Sequence, residues 1–438
     1  MKVQSWPLLL FLQPLLPRSV ALPRRVNEFA LEHAATASIA AAGFPGSDGP
    51  ALLLTTFGPV GKDRVLAVPS IRNMLSNASA PTPVDLDDEA KWPNMASFVP
   101  TGTLGVAFPA AAVLEAGGFF VSPAKATGEI ALLNLKQLPG GAPRKTKIST
   151  DKGGWFYHEA KWMDVNGDGL LDAVAARAHR PVLGAAHSEL VAYVQPVVAH
   201  ETWSELVLTD GGVGPGVGFS LVELDGDNKT QVVASQFFAA QDLSIWWCDA
   251  PHWSGCGSTG ERGARAPAAK SVVIDRDPDK AGFFAVSWVD LNGDGRKDLL
   301  ATTNEANGRG GVYAYEQPRG DWRTEKWTKH TLATGYKPTL PFLPGRGSPG
   351  AALAFLPARQ QRRPSVLVSA DDGGFVDLLT PLSSIGWGYL KQRVVNSSGT
   401  IGSLAVADLS GGVPGSSTGA THFVVPLYAE NKVALYSL

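Results

Sequence analysis

The sequence predicts an all-β protein: a seven-bladed β-propeller with four-stranded blades and calcium-binding loops. An apolar–acidic–apolar segment recurs along the chain, and short strand-like runs alternate with Gly/Pro turns, without a long amphipathic helical pattern. Seven units of roughly 60 residues are typical of a propeller, which protects its sheet edges by radial closure. A pair of β-sandwiches is the alternative, but it does not explain the near-constant period.

Three repeats are clear, at residues 155–180, 215–238 and 281–304. Each has an apolar run, an acidic loop and a second apolar run. Weaker copies keep the apolar frame, and the loops of all seven units begin near positions 43, 109, 164, 223, 290, 357 and 408. We therefore expect residues 22–438 to form a single propeller domain.

Composition excludes several functional classes. The net charge of −2 leaves no basic excess for nucleic-acid phosphates. A hydrophobic content of 44% excludes a disordered chain, and the 48 glycines and 32 prolines argue against a helical bundle.

Residues 1–21 resemble a secretory signal peptide. Lys2 precedes an apolar run at residues 6–16, and residues 19–21 form a small-x-small cleavage site. The alternative, a membrane anchor, would need about 20 apolar residues. We expect a secreted, extracellular protein without a membrane span, whose mature chain begins near Leu22.

Secretion has two covalent consequences. Cys248 and Cys256 are expected to form a disulfide in an oxidising compartment, with two free thiols as the alternative. Sequons at Asn77 and Asn396 are candidate glycosylation sites. A third sequon, at Asn228, lies in the turn of an acidic loop, where a glycan would conflict with a bound metal.

The pattern Asp-x-Asn-x-Asp-Gly-x-x-Asp occurs twice and predicts calcium binding. Side chains at positions 1, 3, 5 and 9 converge when the glycine lets the chain turn, and oxygen ligands suit Ca²⁺. The expected ligands are Asp164, Asn166, Asp168, the Leu170 carbonyl and Asp172 in one loop, and Asp290, Asn292, Asp294, the Arg296 carbonyl and Asp298 in the other. An EF-hand is excluded because position 12 is Ala175 or Ala301 instead of glutamate.

A third acidic loop is a weaker candidate. It has Glu223, Asp225 and Asp227, but Asn228 replaces the glycine and Gln231 replaces the final aspartate. We therefore expect two or three structural Ca²⁺ ions.

These loops and their strand context resemble the FG-GAP/VCBS repeat family, which includes the integrin alpha-subunit head and many secreted microbial propellers. The clear motif covers three of the seven units. The resemblance implies that each loop joins two strands of one blade and that its cation is structural.

Two groups of residues are candidates for chemistry. The resemblance implies that the strands beside the first loop approach the propeller axis, so that His158, Arg177 and His179 could abstract a proton beside a sugar carboxylate. Structural roles for these side chains are the alternative. Trp246, Trp247 and Trp253 surround the cysteine loop and could stack on sugars; ordinary blade packing is again the alternative.

The function expected from these features is binding or adhesion, with a glycan or an extracellular protein as the partner and a monomer as the acting form. The alternative is a carbohydrate-active enzyme, a polysaccharide lyase or sugar dehydratase, with its site in the propeller funnel.

Overall fold

Seven antiparallel sheets of four strands each build the protein, which confirms the predicted seven-bladed propeller. The computed structural model describes residues 22–75, 80–150, 152–181, 183–198, 201–209, 213–258, 269–276, 282–343, 345–357, 362–409 and 419–438. The helices in these ranges are short 3-10 turns at Ile71–Leu75, Pro123–Lys125, Trp253–Cys256, Asp371–Gly373 and Tyr428–Glu430.

The strands are numbered in chain order, beginning with β1 (Arg24–Ala30). Blade 1 comprises β2 (Ala34–Ala40), β3 (Ala51–Thr56), β4 (Arg64–Val68) and β5 (Val84–Asp87). Blade 2 comprises β6 (Pro93–Val99), β7 (Ala112–Gly117), β8 (Ile130–Asn134) and β9 (Arg144–Lys147). Blade 3 comprises β10 (Trp155–Met163), β11 (Asp172–His179), β12 (His187–Val194) and β13 (Ser204–Val207).

Blades 4 to 7 continue the pattern. They comprise β14 (Phe219–Val222), β15 (Gln231–Ser235), β16 (Asp242–Trp247), β17 (Lys270–Arg276); β18 (Gly282–Val289), β19 (Asp298–Asn304), β20 (Gly310–Glu316), β21 (Thr328–Tyr336); β22 (Ala352–Phe355), β23 (Ser365–Ser369), β24 (Phe375–Pro381), β25 (Tyr389–Asn396); and β26 (Ala405–Ala407), β27 (His422–Leu427), β28 (Lys432–Ser437) with β1.

Both ends of the chain form blade 7. Its strand order is β1-β28-β27-β26, and β1 pairs with β28 from Arg24↔Ser437 to Ala30↔Lys432. Backbone hydrogen bonds between β1 and β28 therefore close the ring.

Apolar cores between neighbouring blades hold the ring together. The described residues form seven such clusters, each shared by two adjacent blades. The second strand of a blade is covered on both faces, so it is almost continuously apolar, as in Ala51–Thr56, where all six residues are buried. The first strands of neighbouring blades contact one another, which places them innermost.

The meander within each blade defines two faces of the ring. The acidic-loop face contains the connections from first to second strands, and residues 164–171, 223–230 and 290–297 lie there. All seven loop positions expected from the sequence fall in such connections. The opposite face contains the connections from second to third strands and those between blades.

Candidate functional site

The first acidic loop is organised by its own carboxylates. Asp164 accepts backbone N–H bonds from Gly167 (2.6 Å) and Gly169 (2.9 Å), while Asp168 accepts one from Leu170 (2.8 Å). Both glycines have positive φ, +80° and +84°, a conformation that side chains disfavour. The loop is therefore a tight turn that brings its acidic side chains inward.

The second loop repeats this arrangement. Asp290 accepts bonds from Gly293 (2.7 Å) and Gly295 (2.9 Å), and Asp294 accepts one from Arg296 (2.8 Å). The two glycines have φ of +78° and +88°. Two segments far apart in the chain thus adopt one conformation, as expected from their shared pattern.

The ninth residue of each loop is a buried carboxylate. Asp172 is 0% exposed and accepts bonds from the backbone N–H groups of Val165 (2.9 Å) and Gln195 (2.8 Å). Asp298 is 1% exposed and accepts one from Leu291 (3.0 Å). Burial, reinforced by neighbouring loop aspartates, raises the pKa of Asp172 to about 6 and that of Asp298 to about 7.

In the part of the chain that the structure describes, the carboxylates of these two loops have no cationic partner. Among the described residues, no Lys, Arg or His lies within ion-pair distance of Asp164, Asp168 or Asp172, nor of their counterparts in the second loop. No group of three or more His, Cys, Asp or Glu in those residues is close enough together to hold a metal ion. The donor chemistry nevertheless fits a hard cation, because each hydrogen-bonded carboxylate oxygen keeps a lone pair and the crowded charges repel one another.

The third loop has a cationic partner within the protein. Arg323, which follows β20 in blade 5, binds Asp225 through two N–H···O contacts of 2.6 and 3.0 Å. The indole of Trp322 donates to the same carboxylate at 2.7 Å. Gln231 accepts the bond from the Leu224 N–H (2.8 Å), which an aspartate accepts in the other loops. A guanidinium therefore supplies the positive charge in this loop.

Each acidic loop also contacts the following blade. For the first loop this contact is the segment closed by the Cys248–Cys256 disulfide, and the predicted pairing is confirmed. The N–H of Ser254 donates to the Val165 carbonyl (2.8 Å), and a Cβ on Gly167 would clash with the His252 ring. The disulfide thus braces the first loop from the neighbouring blade.

The second loop is braced without a disulfide. Arg363 donates to the Leu291 carbonyl (2.9 Å), and the Gly386 N–H donates to the Asn292 carbonyl (2.8 Å). Arg363 is 1% exposed and also donates to the carbonyls of Ser383 (2.9 Å) and Gly388 (3.4 Å), so its guanidinium is committed to backbone groups.

Arg177, one of the proposed catalytic residues, belongs to the interior of blade 3. Its side chain is 0% exposed and pairs with Glu189 (2.6 Å) and Glu205 (2.9 Å). It also contacts the hydroxyl of Tyr193, which bonds to the Tyr157 hydroxyl at 2.6 Å. The guanidinium of Arg177 is therefore bound to side chains inside the blade and is not available to a substrate.

The two proposed catalytic histidines contact different partners. His158 lies at a bulge of β10 and packs edge-on against Phe284, with ring centroids 5.7 Å apart. Burial lowers the pKa of His158 to about 4. His179 instead stacks on Trp155 at 5.6 Å, beside Arg177. The observed contacts give no common point on which His158, Arg177 and His179 converge.

The tryptophans near the disulfide are mostly structural. Trp246 and Trp253 are 6% and 5% exposed, and the Trp253 indole donates to the Thr230 carbonyl (2.8 Å). Trp247 is partly exposed but packs edge-on against Trp322 at 5.3 Å. As folded, Trp246 and Trp253 do not offer a free face to a sugar.

Two other sequence predictions have limited structural counterparts. Asn396 is exposed at the end of β25, where a glycan would meet solvent. Asn77 and the expected signal peptide at residues 1–21 lie outside the described residues.

An axial aromatic cluster, which was not expected from the sequence, lies on the opposite face. It consists of Trp92, Phe119, Phe120, Phe156, Phe237, Phe238 and Phe284. Phe120 of blade 2 lies 5.8 Å from Phe238 of blade 4, and these blades are not neighbours. Such a contact requires both rings to approach the axis. Apart from the buried Phe156, the rings are partly exposed.

Charged groups border this cluster. The Arg180 guanidinium lies 4.7 Å from the centroid of Phe120. The Lys125 ammonium, near Trp92, pairs with the buried Asp63 at 2.7 Å. The Phe-Phe pairs at 119–120 and 237–238 were the available sequence signal, because two consecutive aromatic residues in a turn cannot both enter one blade core.

The comparisons with known proteins found structural likeness at low sequence identity. No protein-family model and no curated protein matches the chain. The solved BBS1N–ARL6DN complex contains a chain with a TM-score of 0.49 at 12% identity, covering 95% of this chain and 97% of that one. A glucose dehydrogenase gives 0.42 at 12% identity (82% and 99%), and the V. cholerae biofilm matrix protein Bap1 gives 0.36 at 10% (95% and 70%).

At these identities the likeness does not extend to a ligand or an activity. Within the described residues, no helix is long and apolar enough to cross a membrane.

Proposed function

We propose that the protein is a secreted, calcium-stabilised propeller that binds extracellular glycans. The axial aromatic cluster carries this proposal. Sugars present apolar C–H faces beside hydroxyl groups, so a glycan site needs partly exposed rings next to hydrogen-bonding groups. Phe120 and its neighbours supply the rings, and Arg180 supplies a hydrogen-bonding group at their border.

Calcium has a structural role in this proposal. The ions would be held by Asp164, Asn166, Asp168 and Asp172 in blade 3 and by Asp290, Asn292, Asp294 and Asp298 in blade 5. When bound, they supply the positive charge that these carboxylates lack. Arg323 already supplies it to the loop of blade 4, so the proposed number of ions is two. The signal-like leader and the disulfide support secretion.

A glycan array followed by calorimetry tests the binding role. We expect the protein to bind at least one neutral oligosaccharide, and Phe120→Ala to weaken that binding by about tenfold or more, since the ring contributes both area and stacking. Trp247→Phe, on the other face, is the matched control and should bind normally. If the protein captures an extracellular protein and binds no glycan, the proposed ligand is wrong and the ligand is a protein. If it binds neither, the proposed binding function is wrong.

A further inference from the structure

A cavity of about 380 Å³ opens between blades 4 and 5, on the acidic-loop face. Its lining includes Trp288 from β18, Arg296 and Lys297 from the second acidic loop, Gln317 after β20, and Glu223 after β14. Its size lies at the lower end of the range of ligand sites, roughly 300–1,000 Å³. The cavity is far from the axial aromatic cluster, which lies on the opposite face.

The two matched loops differ at the positions that face the preceding blade. Positions 7 and 8 are Leu170 and Leu171 in the first loop but Arg296 and Lys297 in the second. Leu171 packs against the core shared by blades 2 and 3, and a Cβ on Gly105 would lie 3.3 Å from Leu170. An apolar pair thus seals one junction, whereas a cationic pair on the same backbone lines an opening at the other.

Among the residues that line this opening, the cations Arg296 and Lys297 outnumber the single carboxylate, that of Glu223. Arg296 is anchored by a bond from Nη2 to the Pro318 carbonyl (2.7 Å), which leaves its other N–H groups available. Lys297 is exposed, and no carboxylate among the described residues lies within ion-pair distance of it. Glu223 contributes one opposing charge, and its carboxylate already accepts the Asn228 N–H (3.2 Å).

The rest of the lining fits a sugar ring. Trp288 is partly exposed and offers an aromatic wall, while Gln317 and Glu223 can bond to hydroxyl groups. A neutral oligosaccharide would form no ion pair with the two cations, and a bare phosphate would make no stacking contact with the indole. The ligand that uses all of these groups is a saccharide with an acidic substituent.

We propose that this cavity binds a negatively charged saccharide unit, with its acidic group on Arg296 and Lys297 and its ring against Trp288. The inference extends the proposed glycan-binding function to a second site on the other face. A carboxylate and a sulfate present the same charge to the two cations, so the test includes both.

Isothermal titration calorimetry at fixed calcium concentration tests the proposal with three probes: an oligogalacturonate, a sulfated oligosaccharide and a neutral malto-oligosaccharide of equal length. We expect at least one anionic probe to bind about tenfold or more tightly than the neutral probe, with an affinity that falls as salt rises. Equal affinity for all three, or binding of none, would overturn the inference.

The loops provide a matched control pair. Lys297→Leu removes a charge from the cavity, whereas Lys229→Leu removes one from the third loop, at the position equivalent to Arg296 but outside the cavity. We expect Lys297→Leu to weaken binding of the anionic probe by about tenfold and Lys229→Leu to change it by less than about twofold. Equal losses in both variants would indicate a general charge effect and contradict the site.

Two further measurements separate this site from the axial one. The double variant Arg296→Leu/Lys297→Leu reproduces the pair found in the first loop, and its melting curve checks folding. The double variant should no longer bind the anionic probe but should still bind the neutral glycan. Phe120→Ala should still bind the anionic probe but should no longer bind the neutral glycan. If Phe120→Ala abolishes both, the cavity is not a separate site, and the proposed function still stands.

Discussion

The acidic loop of blade 3 and that of blade 4 solve the same electrostatic problem differently. In blade 3, Asp164, Asp168 and Asp172 crowd into one turn without a cation among the described residues. In blade 4, Asp225 accepts a bidentate contact from Arg323 of the next blade. The loop of blade 5 has the same three bonds from backbone N–H groups to loop carboxylates as the loop of blade 3.

If the loops of blades 3 and 5 bind calcium as proposed, this difference explains how the repeat in blade 4 can do without a metal ion. Replacing the ninth aspartate by Gln231 removes a buried charge but keeps the backbone bond to Leu224. A guanidinium from an adjacent blade then pairs with Asp225, one of the three carboxylates in the loop. Carboxylate count alone is therefore a poor guide to the number of bound ions, because the neighbouring loop decides whether a cation is needed.

Removal of calcium should lower the stability of the protein more than any of the substitutions below. Excess chelator should lower the free energy of unfolding by about 5 kcal/mol when each of two sites is held at about 100 times its dissociation constant, because a ligand bound only to the folded state stabilises it. Calorimetric melting with and without calcium measures this, and calcium titration should give two ions per chain. An unchanged melting curve would refute structural calcium.

Replacing the buried ninth residue should come next. Asp172→Ala leaves the N–H groups of Val165 and Gln195 without their acceptor, and we expect a loss of about 3 kcal/mol in chelator. Gln231→Ala, the matched change in blade 4, removes the acceptor of one backbone N–H and should cost about 1 kcal/mol. Urea unfolding compares the two, and equal losses would contradict the distinct role of Asp172.

Opening the disulfide should have an intermediate effect. The double variant Cys248→Ser/Cys256→Ser frees a loop with a sequence separation of 8 and should cost about 2 kcal/mol. Because Ser254 of this loop bonds to Val165, calcium affinity at the first loop should also fall, while the second loop, braced by Arg363, should keep its affinity. Loss at both loops would indicate global destabilisation instead.

The smallest effect is expected at the pair in blade 4. Arg323→Met should cost about 1 kcal/mol, because the side chains of Arg323 and Asp225 are 33% and 22% exposed and solvent screens their attraction. Denaturant unfolding in chelator measures it. An unchanged stability, together with three calcium ions in the wild-type protein, would show that Arg323 does not replace a cation.

The sequence was most informative where contacts are local. Seven units, their strand content and the positions of the seven loops could be predicted because alternation and turn residues act within about ten residues. The disulfide was also predictable, since the chain has two cysteines, eight positions apart. The use of β1 as the fourth strand of blade 7 was not predicted, because Arg24–Ala30 carries no signal that it pairs with Lys432–Ser437.

The site residues divide in the same way. Asp164 and Asp290 organise their own turns through bonds to glycines three and five positions away, so the sequence by itself determines those loops. The contact of Arg323 with Asp225 spans 98 positions, and that of Phe120 with Phe238 joins non-adjacent blades. Only closure of the ring brings such groups together, because blade packing sets their separation and no local pattern records it. The tertiary structure alone therefore decided which acidic loop carries its own cation and where the aromatic rings meet.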